Sequence, residues 1–428
     1  MSTLLIKNAR YIVSCDDQDS LHERCNLFIR DQAIEYIGPA LRQADQVIDA
    51  SRMAVYPGLI NTHHHLYQLF SRNLPEVQKM ELFPWLVTLY EVWKNLDEEV
   101  VSWSSLAGMG ELLKNGCTTC FDHHYVFPER SGDLIAAQFR SADTVGMRFH
   151  ASRGSMDLSK KDGGLPPDSV VQTIDAILAD SERLVRVWHD DSRFSMHRLA
   201  LAPCSPFSVS GDLLRESARL ARSLGVRLHT HVAETKDEEQ YTLERFGLRP
   251  VAYMQSLGWT GPDVWYAHGI HFNDRDLRVL AETGTGVAHC PISNMKLASG
   301  VCRLPDLLRL DIPVGLAVDG SASRRPRYWD TTTAPPVDRA AKIWISSMLS
   351  PSTRDTPDTA ASPAVVTITV SAMPTVISSS CSMTSGMISR SSACRENSGA
   401  RGCEAVNSIP VPLPWISDLC RPPYSRPR

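Results

Sequence analysis

Pro57-Gly58-Leu59-Ile60-Asn61-Thr62-His63-His64-His65 is a turn dipeptide, a short apolar run and three imidazoles. A bounded apolar run of this length reads as a buried strand. Side chains alternate along a strand, so the outer pair, His63 and His65, fall on the same side. Two neutral imidazoles on one face form half of a metal site. The remaining half has to come from elsewhere in the chain.

Moving outward from this stretch, 428 residues are enough for a large core and more than one domain. A net charge of −4 argues against nucleic acid or a membrane surface as the main partner. The start, Met1-Ser2-Thr3-Leu4-Leu5-Ile6-Lys7, has no basic region leading into a long apolar one, so no secretory signal is expected. No run is long enough to span a bilayer. The eleven cysteines are scattered and odd in number. They read as reduced thiols of a cytoplasmic protein.

Before the histidines, Leu4–Ile6, Arg10–Val13, Asn26–Ile29, Ala33–Ile37 and Gln46–Ile48 are short apolar or alternating runs separated by polar turns. They predict a small β-sandwich domain over residues 1–56. After them the rhythm changes. Strand-like runs at Val55–Thr62, Thr118–Asp122, Met147–Ala151, Arg198–Ala202, Val226–His231, Val264–His268, Gly286–His289 and Pro313–Val318 alternate with helix-length segments. Helices are expected over Asp97–Lys114, Asp168–His189, Gly211–Ser223, Lys236–Phe246 and Asp274–Thr283. Asp97, Asp168, Ser210 and Asn273 are the expected N-caps, and Gly116, Gly225 and Gly284 the expected C-cap glycines. Eight such alternations fit an α/β fold of the TIM type, a (β/α)8 barrel over residues 57–323. A doubly wound sheet is the alternative. Placement of imidazoles and carboxylates at successive strand ends favours the barrel, which gathers such groups around one axis. Residues 75–95, with Phe83-Pro84-Trp85-Leu86, form either an aromatic lid or a packing helix.

Residues 324–428 differ from the rest. All fourteen histidines lie before residue 290, and from Arg324 onward there is no His or Phe and Leu occurs only at 349, 413 and 419. The Ser-, Thr-, Pro- and Arg-rich composition is that of a disordered chain. We take the break near Ser323 as the mark of a reading-frame shift.

Three further strand ends supply the missing ligand types. Arg227-Leu228-His229-Thr230-His231-Val232-Ala233-Glu234 closes the fifth strand. His229 and His231 share a side, so one of them is inward and structural. Glu234 begins the loop above, where a carboxylate can shuttle protons. Tyr266-Ala267-His268-Gly269 ends the sixth strand and Val318-Asp319-Gly320-Ser321 the eighth. Asp319 can bind a cation and accept a proton from a bound water. The His-Glu-x-x-His and Pro-Cys-x-x-Cys zinc signatures are both absent. Cys117-Thr118-Thr119-Cys120 has ligand spacing but no second pair, and reads as packing.

In that order along the chain, His63-x-His65, His231-x-x-Glu234, His268 and Asp319 resemble the amidohydrolase superfamily, and within it the branch of deaminases and s-triazine hydrolases. Asn61–Gln68, Arg148–Met156, Gly163–Val170, Leu201–Phe207 and His289–Met295 resemble the loops of bacterial 8-oxoguanine deaminases. The resemblance covers about residues 1–323. It implies one Zn2+ per subunit, or Fe2+ in its place, held by His63, His65, His231 and Asp319. Arg198–Pro203 offers no Lys for a bridging carbamate, in keeping with a single metal. It further implies that Asp319 moves the proton of an attacking water, that Glu234 protonates a ring nitrogen and that His268 orients the water or the adduct. Zinc-hydroxide attack at C2 of 8-oxoguanine would release urate and ammonia. Gln68, Arg153, His123 and Cys204, at or beyond strand ends, could read the rim of such an oxidised purine base. Homo-oligomerisation is a further expectation. The competing readings are hydrolysis of an amino or alkylamino group on an s-triazine, and an inactive truncated product.

Overall fold

The computed structural model describes residues 1–322 and the backbone of 368–372. Strands β1 (Thr3–Val13), β2 (Leu21–Arg30), β3 (Ala33–Gly38), β4 (Gln46–Asp49) and β5 (Met53–Pro57) form one small sheet. β1 pairs antiparallel with β2 and parallel with both β4 and β5. Ile6, Ala9, Ile12, Leu27 and Val55 bury its core. The two runs expected at Leu4–Ile6 and Arg10–Val13 are one strand with a bulge between Ile6 and Ala9. Asn8 absorbs the bulge at φ 59°, a left-handed conformation that Asn tolerates, and its N–H donates to Asn26 Oδ1 at 2.8 Å.

The expected strand Val55–Thr62 is likewise two elements. β5 ends in the small sheet, and β6 (Leu59–Asn61) begins the barrel. Gly58 is the corner between them. A Cβ there would stand 2.0 Å from Thr118 Oγ1, so the close approach of the two sheets requires glycine.

The barrel then follows in order: α1 (Leu82–Trp93), α2 (Glu98–Lys114), β7 (Cys117–Phe121), α3 (Leu134–Val145), β8 (Arg148–Ser155), α4 (Ile174–Trp188), β9 (His197–Pro203), α5 (Gly211–Leu224), β10 (Arg227–Val232), α6 (Lys236–Phe246), α7 (Pro250–Ser256), β11 (Val264–His268), α8 (Asp274–Thr283), β12 (Gly286–His289), α9 (Pro291–Lys296), α10 (Leu304–Arg309) and β13 (Val314–Leu316). The eight strands β6 to β13 are parallel neighbours in sequence order. The ring closes where Thr62 N–H donates to Leu316 O at 3.1 Å and Asp319 N–H to His63 O at 3.0 Å. This is the (β/α)8 barrel read from the alternation.

Asp97, Ser210 and Asn273 cap α2, α5 and α8 as expected, accepting from Val100, Leu213 and Asp276 N–H. Gly225 and Gly284 cap α5 and α8 at φ 69°. Two expectations are corrected. Thr173, not Asp168, caps α4, because Pro166-Pro167 precedes a separate short turn at Asp168–Val170. Asn115 rather than Gly116 is the C-cap of α2.

The main core lies between strands and helices, and includes Cys117 and Cys120 as buried free thiols. A smaller cluster of Phe121, Ala200, Trp265, Ala288, Cys290 and Ala317 fills the barrel interior. A third joins α1 to the loops above the strand ends. Among the described residues no helix is long and apolar enough to cross a membrane. The tail beyond residue 323 lies outside the described residues, except β14 (Ile368–Ala372), which pairs antiparallel with β5.

Candidate metal centre and active site

The expected ligands meet at the C-terminal mouth of the barrel. His65 Nε2 lies 3.2 Å from Asp319 Oδ1, and His63 Nε2 lies 3.3 Å from the same oxygen. His231 Nε2 is 3.2 Å from His65 Nε2. All four side chains are buried.

Hydrogen bonds settle which ring nitrogens carry protons. His65 Nδ1 lies 2.6 Å from His123 O, and His231 Nδ1 lies 2.6 Å from Cys204 O. A carbonyl oxygen only accepts, so both Nδ1 atoms are N–H donors and both neutral rings keep a lone pair on Nε2. His63 Nδ1 faces His229 Nε2 at 2.8 Å, and His229 Nδ1 faces Trp265 O at 2.9 Å. The same logic gives His63 a lone pair on Nε2, an atom that is buried without a hydrogen-bond partner. Burial, then His65, push the His63 pKa down to about 3. Burial and the neighbouring imidazoles also hold His231 well below its ordinary value.

Three lone pairs and a carboxylate thus converge with no positive charge between them. Ligand atoms about 2.0–2.1 Å from a tetrahedral ion stand roughly 3.3–3.4 Å from one another. The separations of 3.2, 3.2 and 3.3 Å match such edges. The residues fit a divalent cation.

Three strand ends are held in left-handed backbone at non-glycine residues: Ala233 at φ 56°, His268 at φ 75° and Asp319 at φ 64°. Such positions persist only when the surroundings over-determine them. Glu238 supplies part of that hold. Its carboxylate, fully buried, accepts Ala233 N–H at 2.7 Å and Glu234 N–H at 2.9 Å. Glu234 is thereby aimed at His268, whose Nε2 is 3.5 Å from Glu234 Oε2 and whose Nδ1 is 2.8 Å from Asn294 Oδ1. Burial, then the charge of Asp319, raise the Glu234 pKa well above the ordinary range.

His65, His231, Glu234, His268 and Asp319 share one cavity with Gln68, Tyr125 and Cys204. Leu82, Trp85 and Leu86 of α1 roof it, and Phe207 and Leu297 form apolar walls. The aromatic segment is therefore both lid and packing element, since Leu89, Tyr90 and Trp93 of the same helix are core.

Two expected substrate contacts fall elsewhere. Arg153 does not line the cavity. Its Nε donates to Asp180 at 2.7 Å and Nη2 to Gln172 at 2.7 Å, and the guanidinium packs over Phe127. These bonds anchor α4 and its loop. His123 also lies outside the cavity lining. Its ring stacks on His231 at 4.7 Å, its Nε2–H donates to Ala202 O at 2.8 Å, and its carbonyl orients His65. Gln68 and Cys204 do reach the cavity, although Gln68 Oε1 already accepts Ser321 N–H at 3.0 Å. Sequence reasoning missed Tyr125, Phe207 and Leu297 as walls, Asn294 as the partner of His268 and Glu238 as the brace of Glu234. Only the repeated carboxylate spacing in Glu234-Thr235-Lys236-Asp237-Glu238 hinted at the last.

Comparison with known proteins agrees with this architecture. The amidohydrolase family model matches residues 54–343. The chain is 48% identical to 8-oxoguanine deaminase of Pseudomonas aeruginosa, over 76% of this chain and 72% of that protein. It is 39% identical to hydroxydechloroatrazine ethylaminohydrolase of Pseudomonas sp. strain ADP, over 76% of this chain and 70% of the relative. Among solved structures, atrazine chlorohydrolase from Arthrobacter aurescens TC1 complexed with zinc superposes with a TM-score of 0.71 at 29% identity, covering 75% of this chain and 73% of that one. A barrel with imidazoles and a carboxylate at its strand ends, matched along most of its length by hydrolases of one family, leaves a single assignment: the chain belongs to the amidohydrolase family and is a hydrolytic enzyme.

Proposed function

We infer that the protein deaminates an oxidised aminopurine, with 8-oxoguanine as the substrate and urate and ammonia as the products. The observation that carries the chemistry is the convergence of the His63, His65 and His231 Nε2 atoms with the Asp319 carboxylate, at separations of 3.2, 3.2 and 3.3 Å along the contacts from His231 to His65 to Asp319 to His63. The 48% identity to an 8-oxoguanine deaminase supports the substrate.

His63, His65, His231 and Asp319 would hold the cation, with zinc favoured by the nitrogen-rich donor set and Fe2+ as the alternative. When bound, such an ion supplies a water acidified to near neutral pKa. Asp319 takes the proton of the attacking water and passes it to the departing amine at C2. Glu234, kept as an acid by burial and by Asp319, donates a proton to the ring nitrogen beside C2. His268, fixed by Asn294, turns its Nε2 toward Glu234 Oε2 at 3.5 Å. The α1 roof excludes bulk water from the cavity. In balance, 8-oxoguanine plus water gives urate plus ammonia.

In this reading residues 57–323 are the catalytic unit, beside a small β domain of residues 1–56. The composition break after Ser323 is a reading-frame shift, which sequencing the gene across the junction tests. For the activity, purified zinc-supplemented protein is assayed for ammonia and urate from 8-oxoguanine. Asp319→Asn is expected to abolish both. Turnover of an ethylamino-s-triazine in place of 8-oxoguanine would replace this substrate with that of the 39% identical relative.

A further inference from the structure

Beneath the metal centre lies a second imidazole that touches neither the cavity nor Asp319. His229 Nε2 is 2.8 Å from His63 Nδ1, and its own Nδ1 is 2.9 Å from Trp265 O. Trp265 is tied across the barrel, its Nε1–H donating to Thr62 O at 3.2 Å. The residue that anchors His229 therefore also grips the chain one residue before His63. The His229 ring lies 4.6 Å from that of Trp265 at 33°, with Phe121 edge-on at 4.8 Å. It is fully buried, and among the described residues no carboxylate is bonded to it.

We propose that His229 is a positioning residue that fixes the tautomer and ring orientation of His63, and through them the affinity of the site for its cation.

The direction of the relay follows from its far end. The Trp265 carbonyl demands a proton on His229 Nδ1. A neutral ring then has only a lone pair at Nε2, and that lone pair demands a proton on His63 Nδ1. The His63 lone pair is left on Nε2, facing the centre. Without His229, the His63 Nδ1–H would be a buried donor with no partner. The proton would be free to sit on either nitrogen and the ring free to rotate. Partners behind metal-bound imidazoles are usually carboxylates, carbonyls or water, and their loss typically weakens metal binding about 10–100-fold. Here a second imidazole backed by a main-chain carbonyl does that work. It places no carboxylate behind His63.

This inference rests on His63 being a ligand. The test is chelator competition for Zn2+ and the visible spectrum of the Co2+-loaded protein, on wild type, His229→Leu and His229→Gln. Leucine keeps the apolar packing but cannot accept a hydrogen bond. Glutamine still offers an oxygen to His63 Nδ1–H. We expect His229→Leu to bind Zn2+ about 10–100-fold more weakly with an altered Co2+ spectrum, and His229→Gln to stay within a few-fold of wild type. Wild-type affinity and spectrum in His229→Leu would overturn the role of His229 while leaving the metal site intact. A wild-type protein that binds no metal would instead remove the site reading itself. Should His229→Leu not fold, 15N spectra of the wild-type imidazoles decide. A His63 ring without a proton on Nδ1 would overturn the proposal.

Discussion

His65 Nε2 and His231 Nε2 stand 3.2 Å apart, and neither carries a proton, because each ring spends its only N–H on a carbonyl oxygen 2.6 Å away. Two lone pairs at that distance repel unless a cation lies between them.

Removing the metal should therefore destabilise the fold as well as silence it. A ligand present at a thousand times its Kd stabilises the native state by about 4 kcal/mol. We expect dialysis against a chelator to lower Tm and zinc to restore it. A Tm that ignores both treatments would contradict the convergence of lone pairs.

Glu234 and Asp319 should separate in their effects. In the proposed reaction Asp319 is both ligand and proton carrier, and Glu234 a proton donor alone. Glu234→Gln is expected to lower kcat by about 10²–10⁴-fold while the zinc content of the purified protein stays at the wild-type ratio. Loss of zinc together with activity would make Glu234 a ligand instead.

Asp122, buried behind the site, gives a pH signature. Its Oδ1 accepts Leu66 N–H at 2.6 Å and its Oδ2 accepts from Gln138 at 2.7 Å, yet burial pushes its pKa from 3.8 up to about 6. A carboxyl raised in the folded state stabilises fully below its unfolded pKa and loses that contribution as pH rises through about 6. The loss is up to about 3 kcal/mol between pH 4 and 6. Asp122→Asn should flatten this slope in denaturant titrations of the metal-free protein. The new amide can be received by Gln138 Oε1, which has no partner now. A slope unchanged in the variant would show that another group carries it.

Gly58 joins the two sheets at a point where a methyl group would meet Thr118 Oγ1 at 2.0 Å and Cγ2 at 2.8 Å. Gly58→Ala should cost about 1–3 kcal/mol through overpacking. Thr118→Ala in the same chain should recover part of it. Equal stability of the single variant and wild type in urea would show that the corner can spread.

Much of this protein was legible before any fold was considered. Strand ends at His63-x-His65, His231, His268 and Asp319 were marked by residue type and local period. The caps at Asp97, Ser210 and Asn273 were marked by side chains that satisfy N–H groups two or three residues on. Arg153 and His123 lie outside the cavity lining, because a polar residue at a strand end can be taken up by a neighbouring helix or strand as readily as by a cavity. Arg153 turns to Asp180 and His123 to Ala202 O.

The sequence by itself determined the alternation of strands and helices and the kinds of ligand each strand end offers, because periodicity and capping act over a few residues. The tertiary structure alone decided that Oδ1 of Asp319 meets both His63 and His65, that Glu238 braces Glu234, and that His229 lies under His63 across 166 residues of chain. Those relationships are distances of about 3 Å between atoms on different strands. Barrel closure and side-chain packing set them, and neither leaves a trace in local residue order.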